Sequence, residues 1–195
     1  MRYEEVISYC LFGSKKHLLA NLFQNRRMPF YHFGDTIFLK PISTSDWIPF
    51  ICGKFAEKGK KISEELVGKI CTTVASHSSY VQQLAWNIMV NTETEVTDEI
   101  FQQSISELLA QCSPLFIQQI QGLTTYQMNL IRCLCQGVRK DFTSKDVLET
   151  YQLGSKSNIS RLKKTLVEKE IIEEEGDTIT LADPIFELWF KREYM

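Results

Sequence analysis

Residues 155–181 read SKSNISRLKKTLVEKEIIEEEGDTITL. Ser155 or Ser157 opens a helix on which Ile159, Leu162 and Leu166 recur at helical spacing and share one face. Ile171-Ile172 and Thr178-Ile179-Thr180-Leu181 are β-forming runs around Glu175-Gly176-Asp177, which is a hairpin signal. Upstream, Thr143-Ser144-Lys145-Asp146 caps a helix carrying Val147, Leu148 and Tyr151, stopped by Gly154. Before that, Thr124 or Thr125 opens a helix with Met128, Ile131 and Leu134, ending at Gly137. Three helices followed by a hairpin make the winged form of the helix-turn-helix. It is expected over residues 123–195.

Farther upstream the pattern stays helical. Ser43 or Ser45 caps a helix with Trp47, Ile48, Ile51 and Phe55. Ser63-Glu64-Glu65 starts another, its acids at the positive end of the helix dipole, with Leu66, Ile70 and Val74 on one face. A third runs from about Ser79 through Val81, Leu84, Ala85 and Ile88. A fourth starts at Thr97-Asp98-Glu99 and carries Ile100, Ile105, Leu108 and Leu109. Pro114 predicts a break and Gly122 a hand-over, so residues 114–122 read as a linker after a helical domain at 41–113. Residues 1–40 read as strand, helix, strand. Val6 to Phe12 is an apolar run ending at Gly13, Leu18, Leu19, Leu22 and Phe23 are helically spaced, and Thr36 to Leu39 is stopped by Pro41. One such unit cannot cover both faces of its own sheet.

The chain has 195 residues, 44% of them hydrophobic and 24% charged, which places it among folded globular proteins. No apolar run approaches the roughly 20 residues needed to span a bilayer. Met1-Arg2-Tyr3-Glu4-Glu5 puts acids where a signal peptide carries basic residues. A cytoplasmic protein without a membrane partner is therefore expected. The net charge of −2 supplies no global field toward nucleic acid. Six cysteines lie in or beside apolar segments with no Cys-x-x-Cys pair, and read as buried reduced thiols. Three histidines share no metal-ligand spacing.

Segments along the whole chain resemble one family. Leu11-Phe12-Gly13-Ser14-Lys15 is similar to its strand ending in Gly-Ser. Asn21-Leu22-Phe23 with Met28-Pro29-Phe30-Tyr31 resembles its "LF…PFY" segment. Phe55 to Ile62 and His77 to Leu84 resemble its lid helices, and Leu181 to Trp189 resembles its closing "DP-apolar-F-x-x-W" segment. The family is that of the archaeal-type P-loop ATPases, which belong with the AAA+ and STAND NTPases and also occur in gut Bacteroidetes. The resemblance is to the family's C-terminal half. It implies a mainly α chain: the tail of an α/β ATPase core at 1–40, a helical lid at 41–113 and a winged helix at 123–195. It also implies ATP and Mg²⁺ as cofactors of the full-length protein, with the P-loop and the Mg-binding Asp upstream.

ATP hydrolysis needs a phosphate cradle, a Lys on the phosphates and a hydroxyl on Mg²⁺, written Gly-x-x-x-x-Gly-Lys-Ser/Thr. That pattern is absent, and Gly13-Ser14-Lys15 has its letters without its spacing. An acidic pair closing an apolar strand is absent too. The chain alone is expected to bind no cofactor and to be inactive. It would act with a missing N-terminal P-loop domain, or with a second copy. The resemblance suggests four nucleotide-linked residues. Ser14 reads as a γ-phosphate sensor or a helix N-cap. Arg27, beside Arg26, reads as a phosphate contact or a helix C-terminus favoured by the dipole. Where many relatives carry Arg after their "PFYG" segment, Tyr31 is followed here by His32 and Phe33. His77 and Tyr80 mark the lid segment near the base, where Ser78 replaces a proline common among relatives. Their alternatives are a helix-end histidine and a core tyrosine.

The helix at 155–168 raises a second possibility, a winged-helix DNA-binding regulator. Lys156, Arg161, Lys163 and Lys164 are the residue types that reach phosphates and base edges. The neighbouring wing carries Glu170, Glu173, Glu174, Glu175 and Asp177. Acids on a wing repel the phosphates it would track. Residues 124–195 hold 11 basic and 12 acidic residues, a net of −1. A protein partner is expected over DNA.

Overall fold

In the computed structural model, the described residues are 10–13, 22, 23, 25–31, 35, 37 and 39–195. The chain forms two compact units, residues 1–40 and residues 41–195. In the first, Leu22 and Phe23 are helical and residues 26–31 form turns. Two backbone bonds close those turns, Met28 N–H donating to Asn25 O and Tyr31 N–H to Met28 O. Cys10 to Gly13, Ile37 and Leu39 belong to no strand. The rest of the expected strand-helix-strand lies outside the described residues.

The second unit begins with four helices: α1 (Thr44–Glu57), α2 (Glu64–Thr73), α3 (Ser78–Asn91) and α4 (Asp98–Ile120). Short polar side chains set three of the starts. Ser43, Ser63 and Thr97 each accept the backbone N–H three residues on, satisfying donors that have no partner inside the helix. Consecutive helices pack in sequence order, α1 on α2, α2 on α3 and α3 on α4. Phe55, Val67, Ile70, Leu84 and Ile88 fill the space between them and are completely buried. A short parallel bridge between Lys61 and Glu95 ties the segments leading into α2 and α4.

The break expected at Pro114 does not occur. Helix α4 runs through it for 23 residues, to Ile120. A proline inside a helix removes one backbone hydrogen bond and costs about 3 kcal/mol. What offsets that cost is Phe116, buried two residues later against Phe186 and Trp189, with both ring-centroid separations 5.4 Å. Residues 114–120 are therefore the last turns of α4, with Phe116 in the core, and not a linker.

The remaining elements are α5 (Thr125–Cys135), α6 (Lys145–Thr150), α7 (Lys156–Glu168), β1 (Ile172–Glu175), β2 (Thr178–Leu181) and α8 (Pro184–Tyr194). Helix α5 starts with a capping box: Gln127 N–H donates to the Thr124 hydroxyl, and Thr124 N–H donates back to the Gln127 side chain. Strands β1 and β2 pair antiparallel, Glu175 opposite Thr178. Only Gly176 and Asp177 lie between them. Gly176 sits at φ +60°, as the first central position of a tight hairpin turn demands. Leu130, Ile131 and Leu134 of α5, Leu162 and Leu166 of α7, Ile179 of β2 and Phe186 of α8 form the core of this part. Among the described residues no helix is long and apolar enough to cross a membrane.

Candidate functional site

Asp183 holds the two parts of the second unit together. One carboxylate oxygen caps α8, accepting the backbone N–H of Ile185 at 2.7 Å and of Phe186 at 3.1 Å. Pro184 occupies the first helical position, where its missing N–H has no consequence. The other oxygen accepts the Tyr80 hydroxyl at 2.6 Å, from α3, across 103 residues of sequence. Burial raises the Tyr80 hydroxyl pKa above its ordinary value, and the hydrogen bond to Asp183 and that carboxylate's charge raise it further. A second tether lies alongside, the Trp189 indole N–H donating to Ser113 Oγ of α4 at 3.0 Å. Four aromatic rings, of Phe116, Phe186, Trp189 and Phe190, pack together in the same junction.

His77 is the N-cap residue of α3 and makes no side-chain cap bond. Its exposed ring lies 4.9 Å from the Tyr80 ring, centroid to centroid. The turn that delivers it is strained: Ala75 and Ser76 take φ of +49° and +54°, left-handed conformations that cost a residue with a Cβ about 1–2 kcal/mol each. Ser76 N–H donating to Cys71 O at 2.7 Å and His77 N–H to Val74 O at 2.9 Å hold the turn. Arg27 belongs to the first unit, in an exposed turn where its backbone N–H donates to Asn25 Oδ1. Ser14 lies outside the described residues. The structure thus brings His77 and Tyr80 together and commits the Tyr80 hydroxyl to Asp183. In sequence, Asp183-Pro184 reads as part of a closing segment and gives no sign of this bond. A helix cap is legible from sequence, whereas a partner 103 residues away carries no local signal.

The basic residues of α7 divide between two sides. Lys163 turns toward the wing, 3.7 Å from Glu174 on β1 and 5.4 Å from the centre of the Phe142 ring. Lys164 lies 3.9 Å from Glu168 one turn on. Arg161 donates to Asn158 Oδ1 at 3.3 Å and lines an open cleft of about 320 Å³ with Tyr126, Gly154, Ser155 and Ser157. Lys156 is exposed at the first turn of α7 and lines a neighbouring cleft with Tyr126 and Lys145. Four cations in sequence are two in space, with Lys163 and Lys164 each beside a glutamate. Thiols add no reactive centre to α5. Burial pushes Cys133 and Cys135 up to about 12, far from the thiolate form.

Two comparisons bear on this architecture. Residues 114–192 match a family model described as "Probable winged helix domain". The C-terminal part of the chain is a winged helix. The chain is also similar to a solved structure, "The walker-type atpase paby2304 of pyrococcus abyssi", with a TM-score of 0.64 at 16% identity. The match covers 89% of this chain and 50% of that one, so this chain spans about half the length of the ATPase it resembles. No curated protein matches the sequence. The family match begins at Pro114, where α4 starts to contribute Phe116 to the winged-helix core.

Proposed function

We propose that this chain is the C-terminal, non-catalytic part of a Walker-type ATPase, a helical lid at 41–113 and a winged helix that together respond to the nucleotide held by a P-loop half. One observation carries the reading: the likeness to the Walker-type ATPase extends over 89% of this chain, well beyond the winged helix. The lack of a Gly-x-x-x-x-Gly-Lys-Ser/Thr pattern supports it. In this reading ATP and Mg²⁺ are held by the P-loop half, and this chain's role is to bind and transmit. Among the described residues no group of three or more His, Cys, Asp or Glu is arranged to hold a metal. His77, exposed at the end of a strained turn, is the residue best placed to meet a base presented by the P-loop half.

The partner in this reading is a protein, the P-loop-bearing half or a second copy, in the cytoplasm. The acidic wing and the ion pairs at Lys163 and Lys164 favour protein over DNA. Isothermal titration with Mg-ATP tests the reading. The expected outcome is no binding heat from the chain alone at millimolar nucleotide. Tight, Mg-dependent binding by the chain alone overturns it. Salt-sensitive retardation of duplex DNA, abolished by Arg161→Glu with Lys164→Glu, overturns the choice of partner.

A further inference from the structure

Helices α1 and α3 leave a groove of about 450 Å³ between them. Its floor is buried and apolar: Trp47, Ile51, Phe55 and Ala85. Two large aromatic side chains at its lips do not share that burial. Phe50 of α1 is 52% exposed and Trp86 of α3 is 62% exposed. Val90, one turn beyond Trp86, is 61% exposed and prolongs the apolar strip past the end of the groove. Contiguous exposed apolar surface around a tryptophan is where binding energy for a protein partner concentrates.

We propose that this groove receives an amphipathic helix of a protein partner, with acidic residues on the flank that faces α1. The size fits. The α1 side runs from Trp47 to Lys58 and the α3 side from Gln82 to Met89. At a rise of 1.5 Å per residue these edges are about 10–17 Å long, two to three helical turns. That length seats apolar side chains at i, i+3 or i+4, and i+7, the spacing of helix-in-groove recognition. The charge fits as well. Lys54 and Lys58 stand one turn apart on the α1 edge. Lys54 shares its ammonium at 2.9 Å with Glu57, which also lines that edge, and Lys58 has no ion pair among the described residues, so the edge carries one net positive charge. The α3 edge carries the neutral Gln82 and Gln83. The groove therefore has one weakly positive side and one uncharged side, which orients an acidic flank and repels a basic one. The strip running on to Val90 extends past what a small ligand filling the groove would cover. The proposal rests on this face alone and needs no nucleotide.

The test uses two synthetic amidated peptides of roughly 14 residues, long enough to overhang the groove. Both carry leucines at helical spacing; one bears glutamates on one flank and the other lysines in their place. Trp86 is the exposed one of the chain's three tryptophans, so its fluorescence reports occupancy, and calorimetry gives the affinity. The acidic peptide binds and shifts tryptophan emission to the blue. The basic peptide binds about threefold to tenfold more weakly, and Lys54→Glu with Lys58→Glu reverses the ranking. Trp86→Ala, outside the core, keeps the thermal melt and weakens the acidic peptide about tenfold or more. No binding, equal binding of the two peptides, or no effect of Trp86→Ala overturns the proposal. A dimer in sedimentation that Trp86→Ala dissociates also overturns it, and assigns the groove to a second copy.

Discussion

Replacing Tyr80 with Phe removes one oxygen atom and leaves one oxygen of Asp183 without the hydroxyl it accepts at 2.6 Å. Hydrogen bonds to a charged group contribute about 1.5–3 kcal/mol, and both residues are half-buried, so the lower end applies, about 1.5 kcal/mol. For a unit of this size each kcal/mol moves Tm by about 2–4 °C, so Tyr80→Phe lowers it by about 3–6 °C. Asp183→Asn keeps the α8 cap, since Asn caps as well as Asp, and replaces the charged oxygen that accepts the Tyr80 hydroxyl with an amide NH2. A double-mutant cycle from urea melts then gives a coupling of about 1 kcal/mol between the two positions. Alkaline titration supplies an independent sign. The raised Tyr80 pKa means the folded state holds the phenol proton more tightly than the unfolded chain does. The resulting stability is complete below pH 10 and is lost as pH rises above it. The wild-type minus Tyr80→Phe difference must therefore shrink above pH 10. A coupling energy below about 0.5 kcal/mol, or a difference that grows with alkali, refutes the junction as described.

Thiol labelling of the native protein separates the cysteines: Cys10 reacts quickly at pH 8, while Cys71, Cys133 and Cys135 react only as the chain unfolds. The raised thiol values of Cys133 and Cys135 contribute stability that is full below pH 9 and lost between pH 9 and about 12, so the urea midpoint falls across that window. Ser76→Gly relieves a left-handed residue before His77 and raises stability by about 0.5–1 kcal/mol, read as a higher urea midpoint at unchanged slope. Gly154→Ala forces a side chain onto a φ of +82° and sets its Cβ 3.3 Å from the Tyr126 ring. It costs about 1–2 kcal/mol in the same assay.

Much of the winged helix is legible in the sequence because its signals are local. Ser144 and Thr124 cap the helices that follow them, and Gly176-Asp177 forms the hairpin turn where the β-forming runs place it. Pro114 misleads because a helix-breaking preference of about 3 kcal/mol is outweighed by packing that involves residues 70 positions away, which no window on the chain reveals. The α7 cations mislead for a related reason. Counted in sequence they form a basic helix, but Lys163 lies on the wing side, and its glutamate comes from a strand not yet formed when the helix is read alone. His77 and Tyr80 stand out through family resemblance. The bond that engages Tyr80 is visible only in three dimensions.

Helix α4 gives the second unit the mechanics of a rigid beam. Its 23 residues, at 1.5 Å each, measure about 35 Å from end to end. Its middle lies against α3, with Asn91 bonded to Ser104 and Glu107 and Gln83 to Gln111, and its C-terminal part is built into the aromatic junction under α8. A tilt of about 10° over that length would carry the far end about 6 Å, more than a 2.6 Å hydrogen bond can follow. The Tyr80–Asp183 bond is thus a brace on this beam: α4 sets the distance between the helical part and the winged helix, and the bond from α3 to the start of α8 fixes the angle between them.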